Sequence, residues 1–212
     1  MRDFPGVILT ATIWAYWIGI GTMIVRVRRK ARRSAGLIPH QPLERLMWIV
    51  WVPLVGAWNV LPYLSLVRHH PLLRAPAFAL EDPAYSSLRW IAAFTAVACL
   101  TLTAWCWARM GTSWSMAIRE RDSGELITDG LFARVRHPIY ALSMMLMLCS
   151  VVIVPTPLMM LVGVAHLALN QLKARNEERH LLKVHGSAYA HYAQRTGRFL
   201  PRLSTGEAER IR

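Results

Sequence analysis

Apolar and polar positions alternate along this chain in long blocks, and the blocks predict helices that cross a membrane. Phe4 to Val25 is a run of 22 residues without a charge. At about 1.5 Å per residue it covers roughly 33 Å, enough for a hydrocarbon core of about 30 Å. A cleaved leader would carry its positive charge ahead of the apolar run, whereas here Arg2 is offset by Asp3 and the basic cluster follows, so the segment is expected to stay. A second span runs from Leu43 to Val67 and carries Pro53 and Pro62, which predict a bend. Arg68 to Ser87, with Pro71, Pro76 and Pro83, reads as a connecting loop, and the third span runs from Leu88 to Ala108. Two shorter runs, Ile139–Val154 and Leu158–Leu172, flank Pro155-Thr156-Pro157 and predict a tight helical hairpin. The expected fold class is all-α: a polytopic membrane bundle of about five helices with a carboxyl-terminal hairpin and an amphipathic cytoplasmic tail.

Composition supports the membrane class. Apolar residues are 54% of the 212 and charged ones 17%, against about 25% charged in a typical soluble domain. The net charge of +13 raises nucleic-acid binding, but the basic residues gather at the edges of apolar spans, as in Arg26, Arg28, Arg29, Lys30, Arg32 and Arg33. That placement suits anionic lipid, so no nucleic acid is expected as a partner. Of the 25 Lys and Arg, 21 fall on one set of inter-span segments. The bias predicts a multi-pass protein, of a bacterial inner membrane, with its amino terminus outside and its carboxyl terminus in the cytoplasm. Cys99, Cys106 and Cys149 lie within apolar runs without metal-ligand spacing, so neither disulfides nor a metal site is expected. The chain divides into three spans (1–108), a candidate catalytic region (109–201) and a flexible tail (202–212).

The polar patterning concentrates in the second half. Pro138 suits the first turn of a helix, which makes His137 the cap and, with Arg134 and Arg136, offers a site for a carboxylate or phosphate that Tyr140 can reach. The competing reading is an interfacial anchor with Tyr140 in an aromatic belt. On the last helix His166 and Asn170 share a face, better suited to bonding a neighbouring helix than to ligand contact. Beyond them come Arg175, Asn176, Glu177 and Glu178. The adjacent acids are turned about 100° apart, so one can face a pocket while the other faces water, Arg134 or Arg136. A solvated acidic face is the alternative. Leu181, Leu182, Val184, Tyr189 and Tyr192 then form a short amphipathic helix broken at Gly186, and Arg198-Phe199-Leu200-Pro201 closes the ordered part.

Taken in order, Arg136-His137-Pro138-Ile139-Tyr140, a helical hairpin, Glu177-Glu178 with Leu182, Gly186, Tyr189 and Tyr192, and Arg198 to Pro201 resemble the isoprenylcysteine carboxyl methyltransferase and phospholipid methyltransferase superfamily. The resemblance covers residues 109 to 201; Gly130-Leu131-Phe132 departs from the family's pattern, in which proline often precedes the phenylalanine. It implies S-adenosylmethionine as cofactor, held between the hairpin and the carboxyl-terminal segment at Arg136, His137, Pro138, Tyr140, Glu177, Glu178 and Tyr189. Catalytic candidates are Glu178, Arg175 and His137. The donor's carboxylate suits the helix start at Pro138, its ammonium or ribose suits Glu177 or Glu178, and Tyr140, Tyr189 or Trp114 could stack on its adenine or sit near its sulfonium. A thiolate or carboxylate acceptor needs no base; an amine could lose its proton to His137, Glu178 or His166. The implied acceptor is a membrane lipid, another hydrophobic small molecule or a prenylated group. Two other classes stay open: an NADPH-dependent sterol-type reductase and a non-catalytic membrane scaffold.

Overall fold

The computed structural model describes residues 3–32, 35–36, 41–67, 70–118 and 126–202. Arg2, Arg33, Arg68, Arg119, Arg121, Arg210 and Arg212 of the charge pattern lie outside them, as does the expected tail beyond Arg202. Six α-helices follow one another: α1 (Phe4–Ala31), α2 (Pro42–Val67), α3 (Phe78–Glu81), α4 (Pro83–Met110), α5 (Pro138–Ile153) and α6 (Pro157–Arg195). Among the described residues there is no strand, only an isolated parallel bridge between Val135 and Gly197. The protein is a helical membrane bundle.

Local chemistry explains where the helices start. Asp3 accepts from the Gly6 amide at 3.2 Å and caps α1, and Thr156 accepts from Met159 at 3.1 Å and caps α6 with Pro157 in its first turn. The same device corrects the third span. Asp82 caps α4 by accepting from Ala84 at 2.9 Å, and Pro83 occupies the first turn, so the helix begins five residues earlier than its apolar run. The proline expected in a loop is a helix-starting residue, and the loop itself contains the single turn α3. Pro53 and Pro62 lie inside a continuous α2.

Helices α1, α2 and α4 are long and apolar enough to cross a membrane. α4 packs against α5 and α1, α6 against α5 and α2, and α1 touches α2, which closes the bundle. Its interior is aromatic: Tyr16 lies 5.3 Å from Trp107 and 6.4 Å from Trp58 between ring centroids. Gly163 lets α6 approach α5, because a Cβ there would stand 2.9 Å from Val151. Trp14, Ile18, Ile49, Val52, Ile91, Phe94 and Val164 point outward and are exposed, the surface a bilayer covers.

α5 is 16 residues, about 24 Å, and so shorter than a hydrocarbon core of about 30 Å. Its far end nevertheless reaches the level where α4 begins, since Tyr85 Oη donates to Val152 O at 2.9 Å and Arg89 Nε to Ile153 O at 3.0 Å. Arg89 also pairs with Asp3 at 2.7 Å, side chains 7% and 13% exposed. The shortfall in length therefore lies at the other end of α5. A cavity occupies it.

Candidate functional site

The cavity, about 260 Å³, is walled by the end of α4, the strap 113–118, the start of α5 and the outer half of α6. Its floor is built by chain crossing. Residues 134–137 run beside 197–198: the Gly197 amide donates to Arg134 O at 3.2 Å, Arg136 N to Gly197 O at 2.8 Å and His137 N to Arg198 O at 3.0 Å. These bonds lay the motif that opens α5 against the segment that follows α6. Gly186 redirects α6 between them, with φ 52 and ψ −126, a conformation that glycine adopts without steric cost.

The two adjacent acids part company here. Glu178 is taken up by cations: Arg136 Nε donates to Oε1 at 2.9 Å, and Arg198 Nε to both oxygens at 3.0 Å. Arg136 also donates to the carbonyls of Ala193 and Thr196. Burial would raise the Glu178 carboxyl, but the adjoining His137 ring and the two guanidiniums outweigh it and hold the group well below the usual carboxylate range. Glu177, one position earlier, lines the cavity and accepts from Tyr140 Oη. His137 lies between the acids, Nδ1 3.7 Å from Glu177 and Nε2 3.4 Å from Glu178, and its ring stacks on Tyr140 with centroids 5.4 Å apart and planes 7° apart.

Two buried polar atoms on this wall make no hydrogen bond of ordinary geometry: Tyr189 Oη, and His137 Nε2, whose neighbour is Glu178 at 3.4 Å. Buried orphans are costly and uncommon, and a cavity that supplies a ligand group is one way of relieving them. Burial pushes the Tyr189 hydroxyl up, so it stays a neutral donor, while Tyr192, pushed up to about 12, donates to Phe132 O at 2.6 Å. Trp114, Ile118 and Phe132 give the opposite side an apolar face.

Of the residues singled out from sequence, Arg136, His137, Pro138, Tyr140, Glu177 and Tyr189 line one cavity. Glu178 touches that group through Arg136 and His137 but is not part of the lining. Arg175 is exposed and away from the lining, and Arg134 is exposed too. His137 occupies the cap position, yet its side chain makes no capping bond, because the ring is turned to the acids instead. His166 and Asn170 are buried between helices: His166 Nε2 bonds Ser143 Oγ at 3.1 Å, and Asn170 donates to His166 O at 2.8 Å. Arg198 was seen only as part of a closing motif, and its pairing with Glu178 across 20 residues has no local signal. Glu44, discussed below, carried one: a lone acid opening an apolar span.

Residues 90–183 match the profile of the isoprenylcysteine carboxyl methyltransferase (ICMT) family. This stretch is an ICMT-family region. It contains α5, most of α4 and the half of α6 that carries Glu177 and Glu178, while Tyr189, Tyr192 and Arg198 lie just beyond. No curated protein matches the chain. The ICMT match, together with the apolar helices, makes this a multi-pass membrane protein with a methyltransferase region.

Proposed function

We propose that the cavity binds S-adenosylmethionine and transfers its methyl group to a lipid-like or prenylated acceptor, an isoprenylcysteine carboxylate or similar, at the cytoplasmic face. The observation that carries this reading is a cavity-facing carboxylate, Glu177, beside His137 within the ICMT-family stretch, with the unbonded buried hydroxyl of Tyr189 just beyond it on the same wall. The donor set fits the cofactor's chemistry. Glu177 and the His137–Tyr140 stack offer negative charge and π-faces to cationic groups, Tyr189 Oη offers an unused polar contact, and Trp114 and Phe132 offer an apolar slot for a flat base.

When bound, S-adenosylmethionine supplies an electrophilic methyl carbon on a sulfonium. The protein's contribution is alignment and exclusion of water. Arg136 and Arg198 clamp Glu178, which fixes the backbone on which Glu177 sits, so Glu178 and Arg136 act as positioning residues. A carboxylate or thiolate acceptor attacks without a base. With an amine acceptor, His137 takes the proton. Arg175 has no part in this reading. The apolar wall and the exposed helix faces around it suit an acceptor arriving from the bilayer, with the carboxyl terminus cytoplasmic and the amino terminus outside.

Purified protein in detergent, titrated with S-adenosylmethionine and with NADPH, tests the cofactor. Protection against thermal unfolding by the first alone is expected, and Glu177→Gln is expected to weaken that binding by about tenfold, the loss of one charged contact. A response to NADPH alone overturns the reading. Labelled methyl donor, followed into lipid and prenylcysteine products, tests the acceptor.

A further inference from the structure

The strap 113–118 follows α4 and its closing turn and lines one wall of the cavity. Trp114, Ser115, Ala117 and Ile118 line the cavity, while Met116 faces the other way into a second space of about 40 Å³ between α2 and α6. The strap is one residue thick with room on both sides. Beyond Ser113 the strap has no helix of its own, and bonds to distant parts of the chain anchor it.

Those anchors come from elsewhere in the chain. Met116 N donates to Ala35 O at 2.9 Å, Lys173 Nζ donates to Met116 O, and Ile118 N donates to Glu44 Oε1 at 3.2 Å. Glu44 is the exceptional one. It lies in the first turn of α2 and is 1% exposed. A carboxylate so deep is costly to bury, and bonds to charged acceptors are about twice as strong as neutral ones, so a charged anchor in that place holds a backbone amide more firmly than an amide side chain could. Ala35 and Glu44 both lie outside residues 90–183.

We propose that Glu44 is a positioning residue for the cavity: from α2 it fixes the strap through the Ile118 amide, and so sets how tightly the Trp114–Ile118 wall grips the bound ligand. The amino-terminal helices thereby tune a site whose chemical residues all come from the second half of the chain. The part concerning grip rests on the cavity being the S-adenosylmethionine site; the anchoring does not.

The test uses the full chain in nanodiscs and three variants. Hydrogen exchange of the apo protein is followed at the Met116 and Ile118 amides, and S-adenosylmethionine affinity is measured by equilibrium binding. In Glu44→Ala the Ile118 amide is expected to exchange faster and affinity to fall about tenfold, the loss of one buried charge-assisted bond. Glu44→Gln keeps an acceptor oxygen without the charge and is expected to fall between the wild type and the alanine variant in both. If the alanine variant does not assemble, Glu44→Asp, which keeps the charge but withdraws it by one methylene, is expected to move both readouts in the same direction. Unchanged exchange in Glu44→Ala, or faster exchange with unchanged affinity, overturns the proposal, as does a lower melting temperature with neither readout altered. A wild type that binds no S-adenosylmethionine sinks the cofactor reading, and the exchange contrast still decides whether Glu44 holds the strap.

Discussion

Charges are buried at both ends of the bundle, but to different purpose. At the end where α1 and α4 begin, Arg89 meets Asp3 and the Ile153 carbonyl and nearby Tyr85 meets Val152, so each side chain has a partner. At the opposite end Arg136, Arg198 and Glu178 form an equally tight cluster, but it stands beside Tyr189, whose buried hydroxyl makes no hydrogen bond, and beside His137 and Glu177 on a cavity wall. The first arrangement ties three helices together and stops. The second uses a closed ion cluster to carry an open one. Burial of charge alone is therefore no mark of a site.

Substitutions at the two ends should separate these roles. The largest effect is expected for Arg136→Ala, which leaves Glu178 with Arg198 alone and frees the Ala193 and Thr196 carbonyls. A loss of about 3–5 kcal/mol in unfolding free energy, together with loss of S-adenosylmethionine binding, is expected in a detergent unfolding titration with and without ligand. Arg89→Ala should cost somewhat less, about 2–4 kcal/mol, because Arg89 holds one backbone carbonyl where Arg136 holds two, and should leave ligand affinity in the surviving folded fraction unchanged. If Arg89→Ala abolishes binding, or Arg136→Ala spares it, the distinction between the ends fails.

Acid should loosen the cavity end. The folded Glu178 carboxyl is held below its ordinary range, so its contribution to stability is present above that range and is lost as pH falls through it toward the folded value. Thermal melting followed through the acid range should show that loss, and Glu178→Gln should flatten it while lowering stability at neutral pH. The smallest effect is expected for Tyr189→Phe. Removing a hydroxyl that has no partner in the protein should leave melting unchanged or slightly raised and weaken ligand binding about threefold to tenfold, within the range of one neutral hydrogen bond. A fall in stability without a change in affinity would show that the hydroxyl serves the fold.

Much of the fold is legible in the chain because a bilayer demands apolar length, and α1, α2 and the hairpin announce themselves that way. The start of α4 is not legible in hydropathy, since Asp82 and Pro83 read as loop residues until the cap they form is recognised. The site divides along the same line. Arg136 to Tyr140 and the two acids stand in local patterns that chemistry can read, and the rotation between neighbouring helix positions already requires Glu177 and Glu178 to face apart. Which of them faces the cavity depends on Arg198, whose approach follows from pairing across the whole hairpin. The strap anchors at Ala35, Glu44 and Lys173 are more distant still. Only the solitary acid at the head of α2 gives any sign of them.

The bridge between Val135 and Gly197 sets an order of events during biosynthesis. All the helices through the hairpin can be threaded into the bilayer while the ribosome is still short of residue 197, but the backbone that closes the cavity floor has not then been made. A nascent chain released at that point is a lodged bundle whose cavity has no floor, so insertion and closure are separate steps, and an assay that scores membrane integration alone will count unfinished molecules as finished ones.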